Sequence, residues 1–495
     1  VAWGFTNGFP DVQDLYIEHL RRTDDGRVQY EYCGEWLDAQ VIREELRVKG
    51  GQPVIEEVIV TRHGPIINSL AADLAGEQPL ALRWTALEPD RIVEGMLHMA
   101  QARSCAEFRE ALRFWTTPVQ NTVYADTLGN IAYSFPGKVP IRAKGDGRVP
   151  VPGWTGEYEW TGYIPFEELP HLENPPQGYI ATANNRVADA GYPYFLGTDH
   201  CTRDRVQRIV ELIEARERID VPYIQRMQFD QLSPLARTVA RVVGEMPGDD
   251  GDHEVAQAVR LLRDWNGELG AESPAAAVYQ VFLREISSLL LAPHLGDLTI
   301  RYMGQGPTPV LMESSIFAHR SLEWLEETLQ QPGSHWFDLG QGPDRAACIR
   351  RALRAALEVL KERLGPRMEE WAWGRLHTLT YRHTLGQVWP LGRVFNRGPY
   401  PLGGDGTTIW ATGANQHDLG TDSVVGPPFR FIADLGDLRN SWGLLAPGQS
   451  GRPASTHYDD GVQAWFEGGY HPLLWTREDV EREAQARLRL QPRER

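Results

Sequence analysis

Residues 178–186 read Gly-Tyr-Ile-Ala-Thr-Ala-Asn-Asn-Arg, and this stretch decides how the chain is interpreted. Five residues that suit a β-strand are followed by two side-chain amides, which predicts a short buried strand and then a turn. An asparagine in that position is most often only a turn residue. If its side chain faces a cleft, however, the amide N–H of Asn184 can donate to the negative oxygen that develops during amide cleavage.

Two distant segments favour the second interpretation. Residues 3–15 read Trp-Gly-Phe-Thr-Asn-Gly-Phe-Pro-Asp-Val-Gln-Asp-Leu, and residues 447–451 read Pro-Gly-Gln-Ser-Gly. Together with residues 178–186 they resemble the mature β subunit of the penicillin acylase family, a group of N-terminal-nucleophile (Ntn) amidohydrolases. Residues 395–401 and 465–467 add supporting matches, so the resemblance covers nearly all of the chain.

The resemblance implies an α+β fold, the four-layer αββα Ntn-hydrolase sandwich, with a large helical insertion. The sequence patterns agree with this. Residues 1–204 are β-rich, residues 205–370 have helical periodicity, and residues 371–495 return to short strands before a last helix. We expect Thr476 to cap that helix, which should reach about Leu490. We therefore interpret the chain as one β-subunit-like domain with a helical insertion.

Local patterns predict individual elements within these regions. The turn Thr-Asp-Asp-Gly at residues 23–26 predicts a hairpin, and Leu-Gly-Asn at residues 128–130 predicts a second one. Helices are expected near residues 93–102 and 105–115. A long helix is predicted by an apolar stripe that ends at a Gly-Pro pair and consists of Ile349, Leu353, Leu357, Leu360 and Leu364.

Bulk properties exclude several classes of function. The formal net charge is −17 and there is no basic stripe, which argues against binding nucleic acid. The four cysteines are scattered and fit neither a zinc site nor a disulfide framework. We expect no membrane span, because no apolar run approaches the roughly 18 residues that a bilayer requires. His-Glu-x-x-His and Gly-x-Ser-x-Gly motifs are also absent from the sequence.

The resemblance assigns catalytic roles to three residues. Amide hydrolysis passes through a tetrahedral intermediate whose negative oxygen needs two fixed donors. These are implied to be the backbone N–H of Asn7 and the side-chain amide of Asn184, and Gly8 suits a sharp turn that presents Asn7. Arg205, expected at the start of a helix, is implied to organise the surroundings of the nucleophile.

The nucleophile itself is not in this sequence. In the family a precursor cleaves itself and frees an N-terminal Ser, whose hydroxyl attacks the amide and whose α-amine acts as the base. Val1 cannot do this, because its side chain is a hydrocarbon. We expect the chain to begin several tens of residues after that Ser, without the N-terminal subunit of the same precursor, and to be inactive alone.

The implied activity is hydrolysis of a linear small-molecule amide. Two alternatives stay open. One is deacylation of acyl-homoserine lactones or lipopeptides on the same scaffold, and the other is a non-catalytic, calcium-binding relative.

A structural calcium site is also implied. Asp11 and Asp14 are three residues apart, and such oxygen-rich spacing suits Ca²⁺, although alone it is a weak signal. In the family the matching positions are ligands, with backbone carbonyls at the positions of Gln13 and Gly147. The N-terminal subunit supplies another ligand. The sequence departs from the family at Tyr194, where a further Asp is expected, and Asp189 or Asp199 could take its place.

The acyl group is implied to bind beside Phe5 and Gln120. Phe5 should occupy volume near the oxyanion site, and Gln120 should put a polar amide where a phenyl ring would otherwise pack. A buried amide without a partner costs roughly 1–3 kcal/mol. We therefore predict poor hydrolysis of phenylacetyl amides and better hydrolysis of aliphatic or polar-ended acyl chains.

Overall fold

The computed structural model describes residues 1–70, 74, 76–246, 251–308, 312–413, 417–420, 422–423 and 426–491. The chain divides into two units, Val1–His200 (unit 1) and Cys201–Arg495 (unit 2). The expected single domain, with its internal boundaries near residues 204 and 370, stays a prediction.

Unit 1 is built mainly from short strands, as its turn-rich sequence predicts. In the described residues its α-helices are α1 (Ile92–Gln101) and α2 (Cys105–Ala111). The strands in the described part of unit 1 are β1 (Ala2–Asn7), β2 (Gln13–Ile17), β3 (Leu20–Arg22), β4 (Val28–Tyr32), β5 (Glu35–Asp38), β6 (Gln40–Leu46), β7 (Val54–Thr61), β8 (Gly64–Pro65), β9 (Leu80–Trp84), β10 (Gln120–Ala125), β11 (Ile131–Ser134), β12 (Pro140–Arg142), β13 (Val151–Pro152), β14 (Trp160–Tyr163) and β15 (His171–Glu173).

A four-stranded antiparallel sheet positions the candidate site in unit 1. Its strand order is β1-β10-β11-β15. In the register of β1 and β10, Asn7 lies opposite Gln120 and Phe5 lies opposite Thr122. Because side chains alternate along a strand, these four residues share one face of the sheet. Helix α2 covers that face, where Phe108 packs against the ring of Tyr124.

Both predicted hairpins are confirmed. Strands β3 and β4 are joined by the turn at residues 23–26, in which Gly26 has a φ of +83° and donates its N–H to the Thr23 carbonyl. A glycine adopts this left-handed conformation at little cost. Strands β10 and β11 pair around residues 126–130.

The expected strand at residues 179–183 is wrong. This segment has no strand pairing and is held by side chains instead. The hydroxyl oxygen of Thr182 lies 3.1 Å from that of Thr6 on β1. The N–H of Ala183 donates to the side-chain oxygen of Asn185, a local bond of the kind that competes with strand pairing.

Unit 2 is dominated by helices, as its periodicity predicts. Its strands are β16 (Gln305–Thr308), β17 (Met312–Ser314), β18 (Thr378–Tyr381), β19 (Arg397–Pro401), β20 (Asp422–Ser423), β21 (Phe429–Ile432), β22 (Trp442–Leu445) and β23 (His471–Pro472). The helices are α3 (Asp204–Glu214), α4 (Val221–Gln228), α5 (Pro234–Gly244), α6 (His253–Arg263), α7 (Pro274–Leu295), α8 (Thr299–Tyr302), α9 (Phe317–Leu329), α10 (Arg345–Leu364), α11 (Gly392–Phe395), α12 (Asp460–Phe466) and α13 (Arg477–Glu483).

Helices α7 and α10 supply more buried residues to the main core cluster of unit 2 than any other helix. The predicted apolar stripe on α10 is buried from Ile349 to Leu364 and packs against α7. The last helix, α13, begins as expected, with the Thr476 side chain accepting from the Asp479 N–H. It ends at Glu483 rather than near Leu490. Leu488 and Leu490 are 87% and 85% exposed, so their apolar side chains have no core to pack against that would stabilise a longer helix.

One stretch of unit 2 is longer and more apolar than the sequence analysis expected of any segment. Residues Pro274–Tyr302 are long and apolar enough to cross a membrane by length and composition. However, 72% of the most apolar window is buried inside the protein. Such burial is typical of a core helix in a globular fold.

Candidate active site

The structure brings Asn7 and Asn184 together at the end of strand β1. The side-chain nitrogen of Asn184 donates to the backbone carbonyl of Asn7 at 3.0 Å. A side-chain amide has two N–H groups, and the bond to the Asn7 carbonyl uses one of them. The spatial pairing of the two asparagines follows the arrangement implied by the resemblance.

The peptide group that joins Asn7 to Gly8 is fixed from both sides. Its carbonyl also accepts from the side-chain amide of Asn121 at 3.0 Å, and its N–H donates to the Val119 carbonyl at 3.1 Å. A side chain at Gly8 would lie 2.6 Å from the ring of Phe135, so this position excludes any larger residue. The end of β1 is therefore held rigidly, which is what an oxyanion site requires.

Asn184 has a backbone conformation that few residues adopt. Its φ is +65°, in the left-handed region, where asparagine is tolerated better than most residues other than glycine. The conformation turns the chain at the end of residues 179–183 and lets the Asn184 amide reach β1.

Phe5 and Gln120 lie on the same sheet face, as expected of two pocket residues. The Phe5 ring is 39% exposed and stacks on Trp115, with ring centroids 4.9 Å apart. Gln120 is buried, but its amide donates to the side-chain oxygen of Asn7 at 3.1 Å. Gln120 thus has a partner, and the expected rejection of phenylacetyl groups rests on the volume of Phe5 alone.

Asp11, Asp14 and Gly147, three of the four proposed calcium ligands, lie beside a cation that the sequence did not indicate. Both carboxylate oxygens of Asp14 accept from Arg142, at distances of 2.7–3.0 Å. The same guanidinium lies 3.3 Å from the Asp11 carboxylate. Gln13 is the first residue of β2, and Gly147 packs so closely that a side chain there would lie 2.3 Å from Asp14 Oδ1.

This cluster does not fit a calcium ion, because hydrogen bonds from the protein already occupy the oxygens that would bind it. Trp160 Nε1 also donates to Asp14 at 2.6 Å, so both oxygens of that carboxylate already have protein donors. The Arg142 side chain is 5% exposed and supplies the positive charge. In the described residues no group of three or more His, Cys, Asp or Glu side chains could hold a metal. Calcium binding stays a prediction of the resemblance.

The departure at Tyr194 persists in the structure. The Tyr194 hydroxyl donates to Glu168 instead of facing the Asp11 and Asp14 carboxylates. Asp189 accepts from the Gly191 N–H within its own turn. Asp199 lies near enough to raise the pKa of Asp11. Burial is the main cause that raises this pKa to about 6, and Arg142 partly opposes it.

Arg205 is the second residue of α3 in unit 2. Its guanidinium approaches the Cys201 thiol, where it lowers the thiol pKa against the larger raising effect of burial. The neighbouring Asp204 is buried, and burial raises its pKa to about 6. The catalytic role of Arg205 stays a prediction.

The sequence did not indicate the roles of three polar residues of unit 1. Arg142 and Trp160 satisfy Asp14 from more than 120 residues away, and Thr122 has a buried hydroxyl without a partner in the described residues. No local pattern marks any of them. Only the alternation of β10, which puts Thr122 on the same face as Gln120, could have drawn attention to one of the three.

The solved structures include one with the same fold over the whole chain. A thermostable penicillin G acylase from Alcaligenes faecalis superposes with a TM-score of 0.72 at 22% identity, covering 100% of this chain and 88% of that one. The fold is therefore the α+β fold of the Ntn hydrolases, as expected. Moreover, the family model for penicillin amidase matches residues 1–482. The chain belongs to the penicillin amidase family.

Curated relatives carry two kinds of name. The acyl-homoserine lactone acylase QuiP of Pseudomonas aeruginosa is 31% identical, with 97% of this chain and 60% of that protein aligned. The penicillin acylase 2 proenzyme of Pseudomonas sp. strain SE83 is also 31% identical, over 99% of this chain and 61% of that protein. Penicillin G acylase of Escherichia coli is 27% identical. The chain spans about 60% of the length of the relatives that it matches.

Proposed function

We propose that this chain forms the larger part of an acylase that hydrolyses linear amides. The nucleophile is an N-terminal serine in a part of the protein that precedes the given sequence. Membership of the penicillin amidase family and the 60% span of the QuiP relative support this proposal.

The observation that carries the proposal is the hydrogen bond from Asn184 to the Asn7 carbonyl at 3.0 Å. The bond fixes the orientation of the Asn184 side-chain amide beside the end of β1. When the serine hydroxyl attacks the amide carbon, its proton passes to the serine's own α-amine and the carbonyl oxygen becomes negative. The side-chain amide of Asn184 and the backbone N–H of Asn7 donate to that oxygen.

Two classes of compound are candidates for the amine part of the substrate. Relatives are named for acyl-homoserine lactones and for penicillins, both of which contain a linear amide. An assay panel should therefore present the same acyl group on homoserine lactone and on a β-lactam nucleus. A protein that turns over neither would be the non-catalytic relative.

The first prediction concerns Asn184. The chain is expressed with the N-terminal region of a relative, and the processed enzyme is assayed. We expect Asn184→Ala to lower kcat by about 10²–10³-fold, the usual cost of losing one oxyanion donor. Asn185→Ala is the matched control, because among the described residues its amide bonds within the local turn, to Ala183 and Arg186.

Two results would reject the proposal. One is a wild-type kcat in a folded Asn184→Ala enzyme. The other is turnover by residues 1–495 without any added region, because that would require a nucleophile within this sequence.

A further inference from the structure

A buried asparagine lies on the face of the sheet that points away from the implied acyl pocket. Asn121 is 0% exposed and lies opposite Thr6 in the register of β1 and β10, one residue along from Gln120. Because side chains alternate along a strand, Asn121 and Thr6 point to the face opposite the one that carries Gln120. Tyr133 of β11 is on the same face as Asn121. We call this the rear face of the sheet.

The amide of Asn121 has only one orientation that its neighbours accept. The backbone carbonyl of Asn7, 3.0 Å away, can only accept a hydrogen bond, so the nitrogen of the Asn121 amide must face it. The amide oxygen then faces the Tyr133 hydroxyl at 2.7 Å, and that hydroxyl must donate. The Tyr133 hydroxyl therefore orients the amide, and the amide holds the Asn7 carbonyl.

The same amide nitrogen also reaches the segment that carries Asn184. It donates to Thr6 Oγ1 at 3.1 Å, so both of its hydrogens have acceptors. Thr6 Oγ1 in turn lies 3.1 Å from Thr182 Oγ1, two residues before Asn184. One buried amide thus holds β1 directly and the Asn184 segment through a pair of hydroxyls.

The two contacts on β1 enclose the peptide group that donates in the proposed reaction. The peptide between Thr6 and Asn7 carries the Asn7 N–H, and Asn121 holds the Thr6 side chain before it and the Asn7 carbonyl after it. A peptide group is planar and turns as a unit. Holding the residues on both sides of it therefore sets the direction of the Asn7 N–H.

We propose that Asn121 and Tyr133 are positioning residues that set the geometry of both oxyanion donors from the rear face of the sheet. They act through Asn7 and Asn184 and not on the substrate, because the implied pocket is on the other face. The inference rests on the proposed function, which takes Asn7 and Asn184 as the donors. Their misplacement should impair the transition state more than the binding of substrate.

The kinetic test uses the same processed enzyme as the Asn184 experiment. Asn121→Leu keeps the side-chain volume and removes both N–H groups. Since a displacement of about 1 Å can cost about 10²-fold in rate, we expect kcat to fall by about 10–10²-fold with little change in KM. Tyr133→Phe removes only the group that orients the amide. It should lower kcat by about 2–10-fold, the equilibrium value of one neutral hydrogen bond.

Matched controls remove the same groups elsewhere in unit 1. The Asn68 amide donates to the carbonyls of Leu74 and Gln78 in another loop, so Asn68→Leu is the control for Asn121→Leu. The buried Tyr16 hydroxyl donates to the Tyr158 carbonyl at 2.7 Å, so Tyr16→Phe is the control for the tyrosine variant. Both control enzymes should keep the parental kcat.

Two inhibitors separate positioning from a general loss of structure. The serine oxygen adds to the boron of pentylboronic acid and its proton passes to the α-amine, which leaves a tetrahedral boronate anion that resembles the intermediate. Hexanoic acid, the product with the matching acyl chain, forms no tetrahedral anion. Asn121→Leu should weaken inhibition by pentylboronic acid by about the same factor as kcat and leave inhibition by hexanoic acid unchanged.

Three results would overturn the proposal. They are a parental kcat in a folded Asn121→Leu enzyme, a rise in KM at unchanged kcat, and equal weakening of the two inhibitors. If the Asn121→Leu enzyme does not fold, Tyr133→Phe decides by the same criteria.

Hydrogen exchange distinguishes this proposal from the proposed function, because it requires no turnover. The Gly8 N–H donates to the Val119 carbonyl at the end of β1, and mass spectrometry can follow its exchange. Exchange at Gly8 should become faster in Asn121→Leu and stay unchanged in Asn68→Leu. A parental enzyme without turnover contradicts the proposed function. Unchanged exchange at Gly8 in Asn121→Leu overturns the positioning role, whatever the activity.

Discussion

Strand β2 has a buried carboxylate at each end, and different cations neutralise the two. Asp14 is the second residue of the strand and pairs with Arg142. Glu18 follows the last residue and accepts from His63 Nδ1 at 2.8 Å, and both of these side chains are fully buried. The guanidinium of an arginine is always charged, whereas an imidazole is charged only below its pKa.

The two clusters also differ in how many of their carboxylate oxygens have a hydrogen-bond donor. Both oxygens of Asp14 have donors, but Glu18 Oε2 is buried and has no partner among the described residues. The second ring nitrogen of His63 lies 2.8 Å from Glu159. Both ring nitrogens can donate to carboxylates only if the imidazole is protonated. The first cluster is thus a permanent ion pair, and the second depends on pH.

The largest effect is expected where the permanent cation is removed. Arg142→Met leaves the buried Asp14 carboxylate without its counter-charge, which should lower the free energy of unfolding by about 3–5 kcal/mol. Denaturant unfolding followed by tryptophan fluorescence measures this. Arg148→Met is the nearby matched control, because its pair with Asp146 is far more exposed than the pair of Arg142 with Asp14. If the two variants lose similar stability, Arg142 does not act as a buried counter-ion.

A smaller, pH-dependent effect is expected at the other end of β2. Burial alone would lower the pKa of His63, but its bonds to Glu159 and Glu18 outweigh burial and raise it above 6.5. Because the folded protein binds the proton more tightly, this stability is fully present below pH 6.5 and is lost as pH rises through the folded pKa.

His63→Gln should cost about 1.5–3 kcal/mol at pH 6, the range for hydrogen bonds to charged groups. The cost should shrink towards pH 9, and unfolding curves at several pH values would measure it. His19→Gln is the control, because the His19 and Glu31 side chains are 42% and 29% exposed, whereas His63 and Glu18 are fully buried. A cost for His63→Gln that does not change with pH would mean that the ring is neutral in the fold.

The sequence predicted what short-range chemistry controls. The hairpin at residues 23–26 follows from one glycine, and the α10 helix follows from one apolar stripe. The resemblance indicated Asn7 and Asn184, which the structure brings together. The strand predicted at residues 179–183 was wrong, and the contacts described for Thr182 and Ala183 are to side chains.

The cluster at Asp14 could not be predicted, because its members come from three separate segments. Asp14 is on β2, Arg142 ends β12 and Trp160 begins β14. Each residue alone looks like an ordinary member of a short strand. Two carboxylates three residues apart suggested a metal, and only tertiary structure reveals that an arginine takes that position.

The smallest effect is expected at Asp11, and it separates the two possible cations. Burial raises the pKa of Asp11 to about 6, so its contribution to stability is present below pH 3.8 and is lost as pH rises through 6. At pH 8 the ionised side chain gains little, since its contact with Arg142 is a single distance of 3.3 Å. Asp11→Asn should then leave the free energy of unfolding at pH 8 unchanged or raise it, because the neutral amide avoids the cost of burying the charge, whereas Asp14→Asn should be clearly destabilising. If Arg142 is the cation of this cluster, a chelator should leave the melting temperatures of the Asp11→Asn and Asp14→Asn variants unchanged. A calcium ion would reverse these results: chelation would lower the melting temperature of the wild-type chain, and Asp11→Asn would lower it as much as Asp14→Asn does.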